Sequence, residues 1–316
     1  MNEHQPRIFP PPARNRVATR ILAEMQASAS VAGIRAFDGD LDGSIIYGLL
    51  LREGGALPAL GARGAAPVAT PRAVTINVLA ERLLRPFETV RRYANHLIDL
   101  GVCRRTAGGV IALPEATARP AVRTLLVTLH DLLVRLIEDM AGFGMPLPPA
   151  RHDLAYDPRV GLTAALDMLL AAVEYSARNY ASWFEMVLLE TVMCANARPF
   201  TYDIDISMTY PDYATPVPAR LRAPIRIATA ARTLGIPYST ARRHAEGMLA
   251  DGRMTRTSRG LLVSEAWLAG PALLADREQS SGKSREIFGR LAMGGFPFDT
   301  PARAYVAGRP PLLKFV

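Results

Sequence analysis

Lysine is nearly absent from this chain. Only Lys283 and Lys314 occur among 37 basic residues, so its positive charge is almost wholly arginine. Cysteine is equally scarce. Cys103 and Cys194 are far apart in sequence, which excludes a disulfide framework and metal-ligand spacing and points to two buried thiols in a reducing compartment. The five histidines (His4, His96, His130, His152, His244) show no ligand spacing, so no metal or cofactor is expected. His130 is read as a surface or capping group beside Asp131 on an amphipathic helix. No serine or cysteine sits in a nucleophile context, and no enzyme is expected. SSGKS (280–284) lacks the glycine a phosphate loop needs at position 277, which is Arg277, and is read as a linker. Long apolar runs are missing too. VGLTAALDMLLAAVEY carries Asp167 and Glu174 and falls short of a membrane span, and MNEHQPRIFPPPAR has no apolar signal core. The expectation is a cytoplasmic, nucleoid-associated protein.

What is present is a globular composition, 49% apolar and 21% charged, in 316 residues with net charge +8. The charge is concentrated. Residues 72–111 hold seven arginines against three acids and 223–262 hold seven against two, so the remainder of the chain is close to neutral. An anionic partner such as nucleic acid suits that distribution.

The two basic windows are copies. Residues 74–111 align without a gap on residues 151 further along, with 12 of 38 positions identical. Thr89, Arg91, Arg92, Ala94, Gly101, Arg105 and Gly109 recur as Thr240, Arg242, Arg243, Ala245, Gly252, Arg256 and Gly260. Two well-separated copies point to a duplicated domain, not a solenoid. Each predicts a short helix (75–84; 226–234), a turn with proline, a second helix (87–100; 238–251), a glycine stop and a hairpin. Apolar helices upstream, 41–53 and 182–193, are candidates for the first helix of each unit. The loop at 54–71 reads as flexible, whereas 197–224, rich in aromatics and acids, reads as packed on the body.

On a helical wheel centred on Val90, Phe87, Tyr93, Ala94, Leu97 and Ile98 form the buried face. Glu88, Thr89, Arg91, Arg92, Asn95 and His96 face outward in the first copy, as do Ser239, Thr240, Arg242, Arg243, Glu246 and Gly247 in the second. Arg104 and Arg105, or Arg256 and Arg259, lie on the hairpins.

This arrangement resembles the winged helix-turn-helix of GntR- and MarR-like bacterial regulators, on Thr89, Val90, Arg91, Leu97 and Gly101 followed by a hairpin, over about 40 residues per copy. The resemblance implies a mainly α fold with small β-hairpin wings. Two winged helix-turn-helix domains (17–113 and 182–270) would be joined by a central helical region (114–181), with a flexible N-terminal tail (1–16) and a C-terminal tail (271–316). It implies a sequence-specific transcriptional regulator of double-stranded DNA. Glu88, Thr89, Arg91, Arg92, Asn95, His96, Arg104, Arg105, Ser239, Thr240, Arg242, Arg243, Glu246, Arg256 and Arg259 would make the contacts. The matched arginines suit a shared backbone grip, and the changed neighbours suit different base readout. Helices 118–140 and 160–180 are candidates for a homodimer interface. A plasmid- or phage-type replication initiator and a protein-interaction scaffold are the competing readings.

Overall fold

A computed structural model describes residues 15–60, 70–213 and 216–316, apart from the side chains of 176–178, 272 and 275–279. The protein is mainly α-helical with two small antiparallel hairpins. Its first half runs α1 (Asn15–Ala36), α2 (Leu41–Gly54), α3 (Ile76–Leu83), α4 (Phe87–Asp99), β1 (Cys103–Thr106), β2 (Gly109–Ala112) and α5 (Pro120–Gly142). The second runs α6 (Pro158–Asn179), α7 (Trp183–Thr201), α8 (Ile204–Thr209), α9 (Ile227–Leu234), α10 (Tyr238–Ala250), β3 (Met254–Thr257), β4 (Gly260–Val263), α11 (Glu265–Leu268) and α12 (Pro271–Met293).

The element order repeats, and so do the details. Helices α1 and α6 each have 22 residues, and α5 and α12 each have 23. Both of the latter start with a proline, whose fixed φ and missing N–H suit a first turn. Beyond α5 and α12 the chain closes the same way: Met145 N–H donates to Met140 O, and Phe296 N–H to Leu291 O. The duplication therefore runs from α1–α5 to α6–α12 and the turns that follow them, well beyond the 38 residues legible in sequence. Arg72 N–H donates to Gly54 O and Ala223 N–H to Asn196 O, which pairs α2 with α7 at a spacing of 142. The spacing grows to 151 because the segment after α7 is nine residues longer and carries α8.

The halves pack reciprocally. Helix α1 lies against α7 and α9 of the second half, while α6 lies against α2 and α3 of the first. Arg52 on α2 bonds Asp167 on α6 at 2.6 Å, and Arg198 on α7 bonds Glu24 on α1 at 2.8 Å. When each half offers the other the same surface, the relation between them is that of a two-fold. One hydrophobic core runs through both, from Ile21, Leu50 and Leu79 to Leu133, Val187, Leu234 and Phe288.

Several expectations change here. Residues 114–181 are not one linking region: α5 ends the first half and α6 begins the second. Helix α5 is buried on nearly every side, so the apolar residues expected at a homodimer interface pack within the chain. Helix α6 buries Leu162, Leu166 and Val173 in the same core. The N-terminal boundary moves because Arg16 is helical and buried, bonding Glu265 at 2.8 Å; residues 1–14 lie outside the described residues. The linker expected at 280–284 is part of α12, held by Ile287, Phe288 and Leu291 in the core. His130 is not a surface group. It is fully buried, with Nδ1 2.8 Å from Asp131 and Nε2 2.8 Å from the Tyr156 hydroxyl.

The C-terminal segment binds the body it belongs to. Tyr305 donates to Glu138 at 2.6 Å, Arg309 pairs with Glu138 and Asp139, and the Pro310 and Leu313 carbonyls accept from Arg135 and Arg198. The long loop after α7 packs as read, with Tyr213 buried beneath the Arg16 guanidinium. Of the loop at 54–71, positions 61–69 lie outside the described residues, and Ala56 and Leu60 before them are buried. No helix among the described residues is long and apolar enough to cross a membrane.

Candidate nucleic-acid interface

Helices α4 and α10 are each seated on three small or aliphatic side chains: Val90, Ala94 and Leu97, and Ala241, Ala245 and Met248. That spacing of three and four residues makes one buried stripe and leaves the opposite face to solvent. The preceding helices turn into them through a residue at positive φ, Leu84 (51°) and Gly235 (71°). A Cβ in the left-handed region costs about 1 kcal/mol, which glycine avoids. Leu84 is 54% exposed and contributes little packing in return. Leu84→Gly is therefore expected to stabilise the protein by about 1 kcal/mol, read as a higher urea midpoint. An unchanged or lower midpoint would show that Leu84 packing matters more than its backbone.

Each hairpin is closed onto its unit by a third, single-residue bridge, Val74 to Val110 and Ile225 to Leu261. Gly109 and Gly260 permit it. A Cβ there would stand 2.4 Å from Val74 O and 2.5 Å from Ile225 O, closer than any side chain tolerates. The hairpins are thus fixed relative to α4 and α10.

Their arginines reach back to those helices at equivalent positions. Arg105 donates to Asn95 Oδ1 at 2.6 Å, and Arg256 to Glu246 Oε1 at 3.0 Å. The same strap joins hairpin to helix in both halves, with an amide in one and a carboxylate in the other. Asn95 and Glu246, expected on the outward face among the DNA contacts, are acceptors within this strap.

The remaining residues divide. Arg91 is held by Glu88 one turn back at 2.7 Å, whereas Ser239 in the second half leaves Arg242 to Glu246, 3.9 Å away. Arg92 lies over the Tyr93 ring at 4.9 Å. Arg92, Arg243, Arg104 and Arg259 are exposed and form no ion pair among the described residues. Thr89 and Thr240 are half-buried on the first turn. His96 turns aside, 3.8 Å from Asp40 at the start of α2, and its counterpart Gly247 has no side chain.

Phe87 and Tyr238, at the first position of each helix, are 43% and 51% exposed. The helical wheel placed Phe87 on the buried face. It is the first residue of α4 and lies outside the buried stripe of Val90, Ala94 and Leu97. Each surface thus combines exposed guanidinium groups, a first-turn threonine and an exposed aromatic ring. Such a set can grip phosphate, fork onto guanine or stack on a sugar or base. Among the described residues no group of histidines, cysteines and carboxylates is placed to hold a metal. Family models, curated proteins and solved structures yield no match to this chain.

Proposed function

We propose that the protein is a sequence-specific double-stranded DNA-binding transcriptional regulator whose two halves each contribute a winged helix-turn-helix unit. In this reading α4 and α10 are the recognition helices and the hairpins are the wings. The observation that carries it is the recurrence, 151 residues apart, of an outward arginine pair beside the same hairpin strap. Positions that merely stay wet in a duplicated unit are under no constraint to match. Here Arg91, Arg92 and Arg105 match Arg242, Arg243 and Arg256, while Glu88, Asn95 and His96 differ from Ser239, Glu246 and Gly247.

The reciprocal packing of the halves supports a further feature. Two reading helices related by a near two-fold address half-sites in inverted order, as separate subunits of a symmetric dimer do. One chain would then suffice for one site, and the two half-sites would be unlike in sequence.

Selection from a random duplex pool, followed by affinity measurements against salt, tests the proposal. The expected result is an imperfect inverted repeat bound by one chain, with a log–log salt slope of roughly −4 to −7 for four to eight phosphate contacts. Arg92→Ala and Arg243→Ala should each weaken binding by roughly 1–3 kcal/mol. Loss confined to one half-site per variant marks base contacts, and uniform loss marks phosphate contacts. No sequence preference, or no salt dependence, would overturn the reading.

A further inference from the structure

Away from the two exposed helices, α1, α6, α7, α11 and α12 surround a cavity of about 150 Å³. Its described lining is mostly apolar and aromatic, including Leu22, Met193, Tyr175, Tyr180 and Trp267. One lining side chain is charged in its ordinary state, Glu190 on α7, which is 7% exposed. Its Oε2 is buried with no hydrogen-bond partner, and no arginine or lysine pairs with the carboxylate among the described residues. An unpartnered buried carboxyl is costly, and such groups call for a specific explanation. Packing does not provide one. The equivalent position in the first half, 142 residues earlier, is Gly48, so the architecture forms without an acid there.

We propose that this cavity binds a small organic amine bearing a single aromatic ring, its ammonium group paired with Glu190. A cavity of this volume is the size that accepts one benzene ring. Desolvated against apolar walls, an ammonium–carboxylate pair with a good hydrogen bond supplies the partner that Glu190 lacks. Tyr180 and Trp267, 6.3 Å apart between ring centroids, line the same cavity and offer aromatic contact to the ligand's ring. Neutral ligands of the same shape offer the carboxylate at most a neutral hydrogen bond, and anions are repelled once Glu190 is ionised. The site is independent of the DNA-binding reading and stands or falls separately.

Calorimetric titration of the full chain at pH 8.5, where Glu190 is ionised and benzylamine still carries its proton, with benzylamine, benzyl alcohol and benzoate tests it, with Trp fluorescence as a second readout. Benzylamine is expected to bind one per chain, at least tenfold tighter than benzyl alcohol, and benzoate not at all. Glu190→Gln, nearly the same shape, should reduce benzylamine to the affinity of benzyl alcohol. Equal affinity of the wild type for amine and alcohol would overturn the proposal, as would no benzylamine binding at millimolar concentration. Undiminished benzylamine binding by Glu190→Gln would overturn it too. The wild-type ligand comparison decides the matter even if the variant folds poorly.

Discussion

Replacing Asn196 by leucine is expected to destabilise the protein by about 4 kcal/mol. Asn196 sits at 2% exposure on α7, beneath the second hairpin. Its amide donates to Ala223 O at 2.8 Å and to Leu261 O at 3.0 Å, and its Oδ1 accepts from Val263 N at 2.9 Å. Leu261 O keeps a second donor in Ile225 N, but Val263 N and Ala223 O lose the amide that serves them. A buried backbone group deprived of its partner costs roughly 1–3 kcal/mol, and leucine offers nothing in exchange. The first half has Gly54 at the matching position, so the change is confined to one hairpin. Urea unfolding measures the loss, and hydrogen exchange should show 254–263 less protected while 103–112 is unaffected. A loss below about 1 kcal/mol would mean that the three bonds do not clamp the hairpin.

The second large effect depends on pH. Burial pushes the Glu190 carboxyl up from 4.5 to about 8. Below pH 4.5 both folded and unfolded chains carry the proton, and the residue costs nothing in protonation. Between there and pH 8 the unfolded chain releases it while the folded chain holds it. Stability therefore falls as pH rises, by roughly 1 kcal/mol per pH unit, and the slope ends once the folded carboxyl ionises. Glu190→Gln has no proton to lose. The variant should gain on the wild type by about 3 kcal/mol between pH 5 and pH 8, with little advantage at pH 5. Asp42, pushed up to about 6 by burial, adds its own slope to both proteins and cancels in the difference. Cys194, one turn along α7, is held further up by burial and stays a thiol throughout this range. A constant gap from pH 5 to pH 8 would show that Glu190 is ionised in the folded protein.

Much of the local structure was legible. Apolar residues at three- and four-residue spacing located α4 and α10, and the glycines at 101 and 252 marked their ends. The candidate arginines of the two basic windows were placed on those two helices and the hairpins that follow them. The reach of the duplication was not legible, because outside 74–111 the halves share shape more than identity. MPLPPAR (145–151) and FPFDTPAR (296–303), which close the two halves, were the remaining sequence signal, shifted by a single inserted residue. The engagement of Asn95 and Glu246 was hidden as well. It depends on hairpin arginines ten residues away, which a helical wheel does not include.

The sequence by itself determined the helices of the two basic units, where those helices stop, and that the two units are copies. Those properties follow from periodicity, proline and glycine, which act over a few residues. Tertiary structure alone decided that α1 crosses to the second half and α6 to the first, and that α12 and the chain's last residues belong to the body. It also decided that Glu190 faces a cavity. These outcomes depend on which apolar faces meet, and many faces of similar composition compete for each place in the core. Only the packed arrangement selects among them, because it alone fixes which polar groups are buried with partners and which are left without.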